Sequence, residues 1–581
     1  GIKPDDVVGV YMERSPDLVI ALLAILKAGA AYLSLDPSYP EDRNLFMLED
    51  SGVDLVLTLD SLKYVLTHSD MENKNVPLLK FICLDKEAES ISRNNEEVPN
   101  IQIESDALAY VMYTSGSTGK PKGVEVSHGA LSNHMKWMSE EFPLVPNDRV
   151  LQKTPLGFDA SVWEFWAPLM AGAQLILAIP GGHTDTAYLA ETVEQFNITI
   201  LQVVPTLLEA LLEEPEIRNA KGLRRVFAGG EILTPSLQEK FFKHLPTVKL
   251  INLYGPAEAT IDTTFWVCHK GTDYESVPIG RPITNARVYI LDELMDPVPI
   301  GTRGELYIGG TGLARGYRNR TELTDSLFVS DPFSKNPYDK LYRTGDVVYY
   351  DSNGVLFFSG RLDSQIKLGG VRMEPSEIKS VLELHATVQK AEITAHESAN
   401  CKKDLIAYVM VTEESDTLKT ELRNYLKSKL PEIMIPRYII FLDKFPLNPS
   451  GKVDRKALPL PGHDSPVMSC SYIEPTTDAE RDLAGIWSKV LGIPQVGRKD
   501  NFFELGGDSI LSLQIVSSCL QAGWRITSKL LFELQTLEAV AACATHVTKN
   551  FIGLNRISGE VPLTPIQRLF FEQHGENPHH W

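Results

Sequence analysis

The sequence predicts a large α/β domain, followed by a small α+β lobe and a short helical domain. Over residues 1–360, segments of helical period alternate with short apolar runs, a pattern typical of sheets covered by helices. The helical segments include 17–28 and 189–196, and the apolar runs include 54–58, 150–153 and 198–204. These observations assign residues 1–360 to the large domain.

The pattern changes after Gly354 and Gly360. Residues 361–458 predict a smaller, mobile α+β lobe, with a helix near 375–384 and strands near 389–395 and 405–411. Residues 459–473 are rich in Pro, Gly and small polar side chains, which favour an extended linker.

Residues 474–547 are helical in pattern throughout. They predict a small four-helix bundle, in which the most evident helices are Ala479–Leu491, Ser509–Gln521 and Leu537–His546. Residues 555–581 begin a further unit that the sequence does not complete.

Size and charge narrow the class of protein. The chain has 581 residues, 43% hydrophobic and 23% charged, which is typical of folded domains rather than disorder. A net charge of -20 argues against general affinity for nucleic acid or anionic membrane, because phosphates attract clustered Lys and Arg. The six cysteines form no CxxC pair, so neither a disulfide framework nor a zinc site is predicted, and a reducing cytoplasm fits best.

The start of the chain predicts neither a membrane anchor nor a signal peptide. The apolar run Leu18–Leu26 is bounded by Asp17 and Lys27, well short of the ~20 residues that cross a bilayer. Gly1 stands where a native start would have Met, so we expect the large domain to be truncated at its beginning.

A loop rich in Gly, Ser and Thr follows the apolar strand Ala107–Met112. Its residues, Tyr113–Gly123, can hold a polyphosphate, because glycines let backbone N–H groups approach an anion and the hydroxyls and lysines add donors. A Walker-type loop leads directly into a helix, whereas Pro121 after Lys120 forbids an immediate helical turn. The sequence therefore disfavours a P-loop NTPase.

This loop closely resembles the phosphate loop of nonribosomal peptide synthetase adenylation domains, which belong to the adenylate-forming (ANL) superfamily. Further motifs resemble that family in order and approximate spacing: Leu26–Pro37, Phe158–Trp163, Asn252–Glu258, Tyr342–Asp346, Gly360–Asp363, Lys367–Glu374 and Pro449–Asp454. The resemblance implies a large adenylate-forming domain with a mobile small lobe, and a reaction that uses ATP with Mg²⁺.

The resemblance also implies which residues hold the nucleotide. Glu258 would hold Mg²⁺, although Ala257 stands where the family usually has Thr. The expected nucleotide-binding residues are Thr114, Ser115, Gly116, Ser117, Thr118, Gly119 and Lys120 for the phosphates, Asn252, Tyr254 and Gly255 for adenine, and Asp346 with Arg361 for the ribose.

Two lysines and a hinge are implied for the moving lobe. Asp363 would be the pivot between the two half-reactions. Lys452 would contact the substrate carboxylate and the developing adenylate, and the segment containing Lys367 would turn inward for the second step. In that segment Leu368–Gly370 replaces the commoner Ile-Arg-Gly.

The family places an Asp against the substrate α-ammonium, and Asp159 stands at that position. This predicts an amino acid substrate rather than a fatty acid. Position by position, the implied pocket comprises Asp159, Ala160, Trp163, Gln202, Phe227, Gly229, Leu253, Ile261, Asp262 and Lys452.

This pocket resembles those that select glutamine. The amide of Gln202 can donate and accept, and Asp262 can accept from a side-chain NH₂, so a primary amide is satisfied. Glutamate is the alternative, but its carboxylate would face Asp262, and a buried like-charge contact costs on the order of several kcal/mol.

Asp500–Ile510 resembles the peptidyl carrier motif, which implies a phosphopantetheine arm on Ser509, attached by a phosphopantetheinyl transferase. Residues 555–581 resemble the opening of a condensation or epimerisation domain, so neighbouring synthetase modules and a small helper protein are possible partners. Two other interpretations stay open: an acyl- or aryl-CoA ligase, and an inactive scaffold that presents the carrier.

Overall fold

The computed structural model describes residues 2–546 apart from 68–78, 98, 100, 117–118, 273, 364, 398–402, 413–414, 416, 447–452, 460–471, 503–504, 506, 508, 528–529 and 532–533. Ser117, Thr118 and Lys452 therefore lie outside the described residues, as do most of the predicted linker and all of 555–581. The chain divides into two compact units, one of residues 1–471 with 501–514 and the other of 472–500 with 515–581.

The first sheet has seven strands. In spatial order they are Gly316–Tyr317, Lys122–Ser127, Leu108–Thr114, Ala31–Leu35, Val7–Tyr11, Leu55–Thr58 and Lys80–Cys83. The five strands from Leu108–Thr114 onward run parallel, and the first two pair antiparallel. Every residue of Val7–Tyr11 and Ala31–Leu35 is buried, as expected for central parallel strands covered on both faces.

The second sheet also has seven strands. Their order is Arg281–Pro282, Thr264–Val267, Lys249–Tyr254, Arg225–Gly229, Ile200–Val203, Arg149–Gln152 and Gln174–Leu177. The last five are parallel, and the first two are antiparallel. The predicted apolar runs at 54–58, 150–153 and 198–204 are thus strands, shortened at the ends.

Helices cover the two sheets and fill the space between them. One apolar core joins Pro16–Lys27, His128–Glu141 and Ala160–Ala171 to residues of both sheets. The helices of this domain are Pro16–Lys27, Glu41–Ser51, Asp60–Thr67, Ala88–Ser92, His128–Glu141, Ala160–Ala171, Thr186–Gln195, Pro205–Leu211, Pro235–His244 and Thr321–Leu327, with 3-10 turns at Gly182–Thr184, Glu216–Asn219 and Ala257–Ala259. Layers of helix and parallel sheet confirm the α/β prediction.

A third, antiparallel sheet completes the large domain. It pairs Ala286–Leu291, Gly304–Gly310, Lys340–Tyr350 and Phe328–Ser330, and Leu356–Arg361 pairs with Lys340–Tyr350. In that last pair Asp346 stands opposite Arg361, so two predicted nucleotide residues are register partners.

The small lobe has the predicted helix at Pro375–Glu383 and the predicted strands at Val388–Glu397 and Lys403–Val411. A third strand, Tyr438–Phe441, a second helix, Leu418–Lys427, and 3-10 turns at Glu432–Met434 and Arg455–Ala457 were not predicted. A hairpin of Ile366–Leu368 and Val371–Met373 precedes this layer. Its two-residue turn has Gly369 and Gly370 at φ 56° and 77°, which glycine adopts without strain.

Three helices are described in the region predicted as a bundle: Asp478–Leu491, Ser509–Gln521 and Leu537–Cys543. The prediction that the last helix continues to His546 is wrong, because Thr545–His546 pairs as a strand with Trp524–Arg525. Within the described part of 474–547, the four-helix arrangement stays a prediction. No helix among the described residues is long and apolar enough to cross a membrane.

Candidate functional site

The phosphate loop connects two antiparallel strands. Thr114 ends Leu108–Thr114 and pairs with Lys122, so the loop leads into a strand and not into a helix. This agrees with the argument from Pro121 against a Walker-type loop. Thr114 Oγ1 is buried, with no hydrogen-bond partner among the described residues. An orphaned buried hydroxyl at this point suits a ligand that brings an acceptor, such as a phosphate.

A cavity of ≈ 330 Å³ lies beside the loop. Its lining residues are Gly116, Lys120, Lys122, Asn319, Arg320, Thr321, Glu322 and Leu323. The lining has three cationic side chains, Lys120, Lys122 and Arg320, and one acidic side chain, Glu322. The cavity therefore favours an anionic ligand. Sequence reasoning missed Arg320, because nothing in the local sequence brings a residue two hundred positions away to this loop.

Glu258 is a fully buried carboxylate held between cations. Oε1 accepts from Lys122 Nζ at 3.1 Å and from the Tyr317 hydroxyl at 2.6 Å, and Oε2 accepts from Arg372 at 2.8 Å. Burial alone would raise the pKa of Glu258, but Arg372 and Lys122 together lower it far below its ordinary value. The group is therefore an anion throughout the working pH range.

A buried, permanently ionised carboxylate has the chemistry that a hard cation needs. The described residues contain no cluster of three or more His, Cys, Asp or Glu that could hold a metal by themselves. Glu258 therefore fits a magnesium ion shared with nucleotide phosphates. The carboxylate that would hold this ion is also paired with the small lobe, through Arg372 at 2.8 Å.

Asp346 lies where the large domain meets the small lobe. Its Oδ2 accepts from the Tyr254 hydroxyl at 2.5 Å, and its Oδ1 pairs with Arg361. Arg361 also donates two hydrogen bonds of 2.7 Å to the Asp363 carboxylate. Each Asp346 oxygen keeps a second lone pair, so both can still accept from ligand hydroxyls.

Arg361 therefore links Asp363, the predicted hinge residue, to Asp346, the predicted ribose-binding residue. Burial would raise the pKa of Asp363, but its hydrogen bonds and ion pair with Arg361 lower it. The carboxylate stays charged and keeps the bidentate pair. The Asn252 amide donates to the Pro278 carbonyl at 2.8 Å and is 3% exposed, and its part in adenine binding stays a prediction.

The small lobe packs against the nucleotide residues through its hairpin. Ser115 Oγ donates to the Arg372 carbonyl at 2.8 Å, and Lys367 Nζ lies 5.5 Å from the centroid of the Tyr254 ring. Burial lowers the pKa of Lys367, an effect that the charge of Asp346 opposes. Lys367 Nζ therefore lies beside the ring of Tyr254, the residue that the family resemblance predicts to contact adenine.

One face of the second sheet carries four of the predicted pocket residues. Gln202 is the register partner of Phe227, and Gly229 is the partner of Leu253. Because side chains alternate along a strand, Phe227 and Gly229 point to the same face, and their partners do likewise. Trp163 packs on this face, its ring 5.2 Å from that of Phe227. The structure therefore brings together residues of four elements that span 90 positions, from Trp163 to Leu253.

Asp159 begins the helix Ala160–Ala171 and accepts from the Ala160 N–H at 2.8 Å. Burial, followed by the charge of Asp262, raises the pKa of Asp159 to about 7. Glu258 adds to this effect, and Lys367 opposes it. Asp159 and Asp262 therefore repel each other, and a cationic group of a ligand placed beside them would reduce this repulsion.

A strained turn joins Glu258 to Asp262. Thr260 and Ile261 have φ of 59° and 70°, and a β-branched residue in that region is a genuine outlier. The Asp262 N–H donates to the Thr260 carbonyl at 2.9 Å, and the Thr263 N–H returns to the Tyr254 carbonyl at 2.8 Å. The turn fixes the backbone position of Asp262 relative to that of Glu258, the predicted metal ligand.

Asp262 has a partner that sequence reasoning missed. His134 Nε2 lies 3.0 Å from Asp262 Oδ2, and His134 is 1% exposed. The two residues are 128 positions apart, and no local motif surrounds His134. Of the other predicted pocket residues, Ala160 and Ile261 flank the two acids, and Lys452 lies outside the described residues.

Ser509 is the first residue of the helix Ser509–Gln521. The Gly507 N–H donates to the Phe502 carbonyl at 2.8 Å, and a Cβ at Gly507 would lie 2.4 Å from the Phe502 ring. Gly507, the second glycine of the Gly-Gly-Asp-Ser motif, is therefore needed because the backbone there lies too close to the Phe502 ring for a side chain.

Three family models match the chain. AMP-binding enzyme matches residues 1–318, AMP-binding enzyme C-terminal domain matches 377–452, and phosphopantetheine attachment site matches 481–544. The first alone covers more than half of the chain.

The chain is similar to curated peptide synthetases. It is 44% identical to tyrocidine synthase 3 of Brevibacillus parabrevis over 94% of this chain and 8% of that protein. It is 41% identical to phosphinothricin tripeptide synthetase PhsB of Streptomyces viridochromogenes over 97% of this chain and 47% of that protein. The chain therefore spans less than half the length of these relatives.

Two solved structures share its fold. Holo-PA1221, a protein containing adenylation and PCP domains bound to a vinylsulfonamide inhibitor, superposes with a TM-score of 0.73 at 26% identity, over 93% of this chain and 88% of that one. Holo-AB3403 is a four-domain nonribosomal peptide synthetase bound to AMP and glycine. It superposes with a TM-score of 0.54 at 33% identity, over 94% of this chain and 39% of that one.

The strained turn makes Gly255 a sensitive position. A Cβ there would lie 2.3 Å from the Ile261 carbonyl oxygen. We expect Gly255→Ala to destabilise the protein by about 1–3 kcal/mol, the usual cost of overpacking, and to displace Asp262. Urea unfolding measures the loss. Gly312→Ala is the control, since its Cβ would meet only an ordinary contact at 3.4 Å; equal stability of the two variants would contradict the packing argument.

Proposed function

The chain belongs to the AMP-binding enzyme family, and from that membership we propose that it activates L-glutamine with ATP and loads it onto a carrier arm at Ser509. The amino acid would become an aminoacyl-AMP with release of pyrophosphate, and then a thioester. The observation that carries this proposal is the proximity of two acids, Asp159 and Asp262, whose charges interact, with a short turn leading from Asp262 to Glu258.

In the first step a substrate carboxylate oxygen attacks the α-phosphorus. A new P–O bond forms, the bond to the β-phosphate oxygen breaks, and pyrophosphate leaves with the electron pair. When bound between Glu258 and the phosphates, Mg²⁺ would neutralise charge on the leaving group. Lys120, Lys122 and Arg320 surround the cavity where that anion would lie. Such a step needs positioning and positive charge more than acid–base chemistry.

Asp159 supports an amino acid over other acids. Its carboxylate can pair with an α-ammonium, and the raised pKa shows that the site lacks the positive charge that a substrate would bring. An acyl- or aryl-CoA ligase would gain nothing from a buried acid here. An inactive scaffold would have no reason to keep Glu258, Asp346 and the cationic cavity together.

Glutamine is supported by two buried acceptors among the predicted pocket residues, Gln202 Oε1 and the Asp262 carboxylate. Gln202 Oε1 is buried with no hydrogen-bond partner among the described residues, and Asp262 is an acceptor. A primary amide offers two N–H donors to two such acceptors. Glutamate, the alternative substrate, would bring a third acceptor and a like charge. AMP and glycine in a solved relative support the general reaction and leave the side chain open.

In the second step the thiol of the carrier arm would attack the carbonyl carbon of the aminoacyl adenylate. A C–S bond forms, the C–O bond to AMP breaks, and the thiol proton goes to solvent or phosphate. The inward hairpin with Lys367 and Arg372 is the arrangement that the sequence implies for this step. Lys452 would serve the first step after the lobe turns about Asp363.

The proposal includes partners that act before and after this chain. A phosphopantetheinyl transferase would attach the arm to Ser509. Neighbouring modules, with a condensation or epimerisation domain beginning at 555–581, would take the thioester onward, and a small helper protein could assist folding.

Amino-acid-dependent ATP–pyrophosphate exchange tests the proposal. We expect glutamine to give the highest kcat/KM, with glutamate lower by at least about tenfold because of the like-charge contact. Benzoate and fatty acids serve as controls. Exchange driven by one of those acids, and by no amino acid, would instead favour the CoA-ligase interpretation.

The pH dependence of activation should report Asp159. Its pKa of about 7 means that the Asp159 carboxyl is ionised above that pH and neutral below it. We therefore expect kcat/KM for the amino acid to fall below about pH 7, by up to about tenfold per pH unit, because the neutral acid cannot pair with an ammonium. Exchange rates measured from about pH 5 to 9 check this.

Asp159→Asn is the variant to compare across that range. It should activate glutamine poorly at every pH and show no inflection near neutrality. A wild-type profile that is flat between about pH 6 and 8 would contradict the assigned role.

Ser509→Ala should abolish loading and leave exchange intact, since the hydroxyl accepts the arm and takes no part in adenylation. Intact-protein mass spectrometry after treatment with a phosphopantetheinyl transferase, ATP and glutamine measures the thioester. Ser518→Ala, on the same helix, is the matched control. A thioester adduct on the Ser509→Ala chain would refute the attachment site.

A further inference from the structure

Asp262 has a buried partner, His134, to which no part in the reaction has been assigned. His134 lies in the middle of the helix His128–Glu141, and its Nε2 is 3.0 Å from Asp262 Oδ2. Among the described residues it is the hydrogen-bond donor to this carboxylate. We propose that His134 is a positioning residue for substrate selection, which holds Asp262 as a hydrogen-bond acceptor for a side-chain amide.

The surroundings of His134 decide its tautomer. Its Nδ1 is buried with no hydrogen-bond partner in the described part of the chain, and its ring packs edge-on against Trp137 at 5.4 Å. A proton on Nδ1 would be a buried donor without an acceptor, which is costly. The proton therefore belongs on Nε2, where it is donated to Asp262.

This hydrogen bond makes the two Asp262 oxygens unequal as acceptors. Oδ2 already accepts from His134, so Oδ1 is the freer acceptor for a ligand. Asp262 cannot rotate freely, because the strained turn at Thr260 and Ile261 fixes its backbone and His134 fixes its carboxylate. A rigid acceptor favours a ligand N–H group over a ligand oxygen.

Without His134, Asp262 would lose that preference. Its carboxylate would be buried with no side-chain donor among the described residues, and nothing would hold it in place as a fixed acceptor. An acceptor that can turn away from the ligand, or bind it through a water, would discriminate less strongly between the glutamine amide and the glutamate carboxylate. His134 would thus separate amide from acid substrates without touching either of them.

This inference rests on the proposed function, because it concerns the choice between glutamine and glutamate. The test measures kcat/KM for both amino acids by pyrophosphate exchange in the full chain. We expect His134→Phe to lower the glutamine-to-glutamate ratio by about tenfold or more, the size expected for a lost hydrogen bond to a charged group. His134→Gln, which keeps an N–H donor at a similar reach, should retain the ratio within about threefold.

Two further variants separate selection from folding. Lys136→Ala lies on the exposed face of the same helix and should leave the ratio unchanged. In an Asp262→Asn background, His134→Phe should cause no additional change, because the carboxylate on which it acts is gone. Circular dichroism checks folding, and His134→Met, which also lacks a donor, replaces His134→Phe if that chain does not fold.

The outcomes are distinct. A folded, active His134→Phe chain with an unchanged ratio would overturn the inference, and so would His134→Gln losing as much selectivity as His134→Phe. If the unsubstituted chain shows no exchange with any amino acid, the proposed function fails instead, and that result is seen before any variant is compared.

Discussion

The burial of the Glu258 charge is the constraint on which the site depends. A carboxylate with no exposure must be paired, and its partners come from distant parts of the chain: Lys122 after the phosphate loop, Tyr317 of the edge strand, and Arg372 of the small lobe. Removing any one of them would leave a buried charge undercompensated. Glu258 therefore fixes the phosphate loop, the edge of the first sheet and the inward hairpin with respect to one another.

The same charge links the two halves of the proposed reaction. Arg372 of the hairpin pairs with Glu258, and Glu258 is also the residue that would hold Mg²⁺ in the first step. Two further ion pairs join the small lobe to the large domain away from Glu258. They are Arg43 with Glu377 at 2.7 Å and Lys429 with Asp42 at 2.5 Å.

Substrate choice depends on a second, smaller set of buried polar groups. Asp159 and Asp262 repel each other, and the strained turn at Thr260 and Ile261 fixes the backbone that leads into Asp262. The site thus stores unfavourable electrostatics that an amino acid with an ammonium at one end and an amide at the other would relieve. Binding energy of this kind discriminates by charge and hydrogen bonding, which gives larger differences than apolar fit.

Local periodicity and residues adjacent in the chain were enough to predict the α/β class, several of the helices and strands, and a Gly-rich loop that does not lead into a helix. The sequence also predicted Gln202, Phe227, Gly229 and Leu253 as one pocket, although only through family resemblance. What surrounds the acids was set by strand order and lobe orientation, which bring distant residues into contact. His134 beside Asp262, Arg372 on Glu258 and Arg320 near the loop are contacts across 114 to 204 positions. The final helix also ended early, since pairing of Thr545–His546 with Trp524–Arg525 outweighed local helical preference.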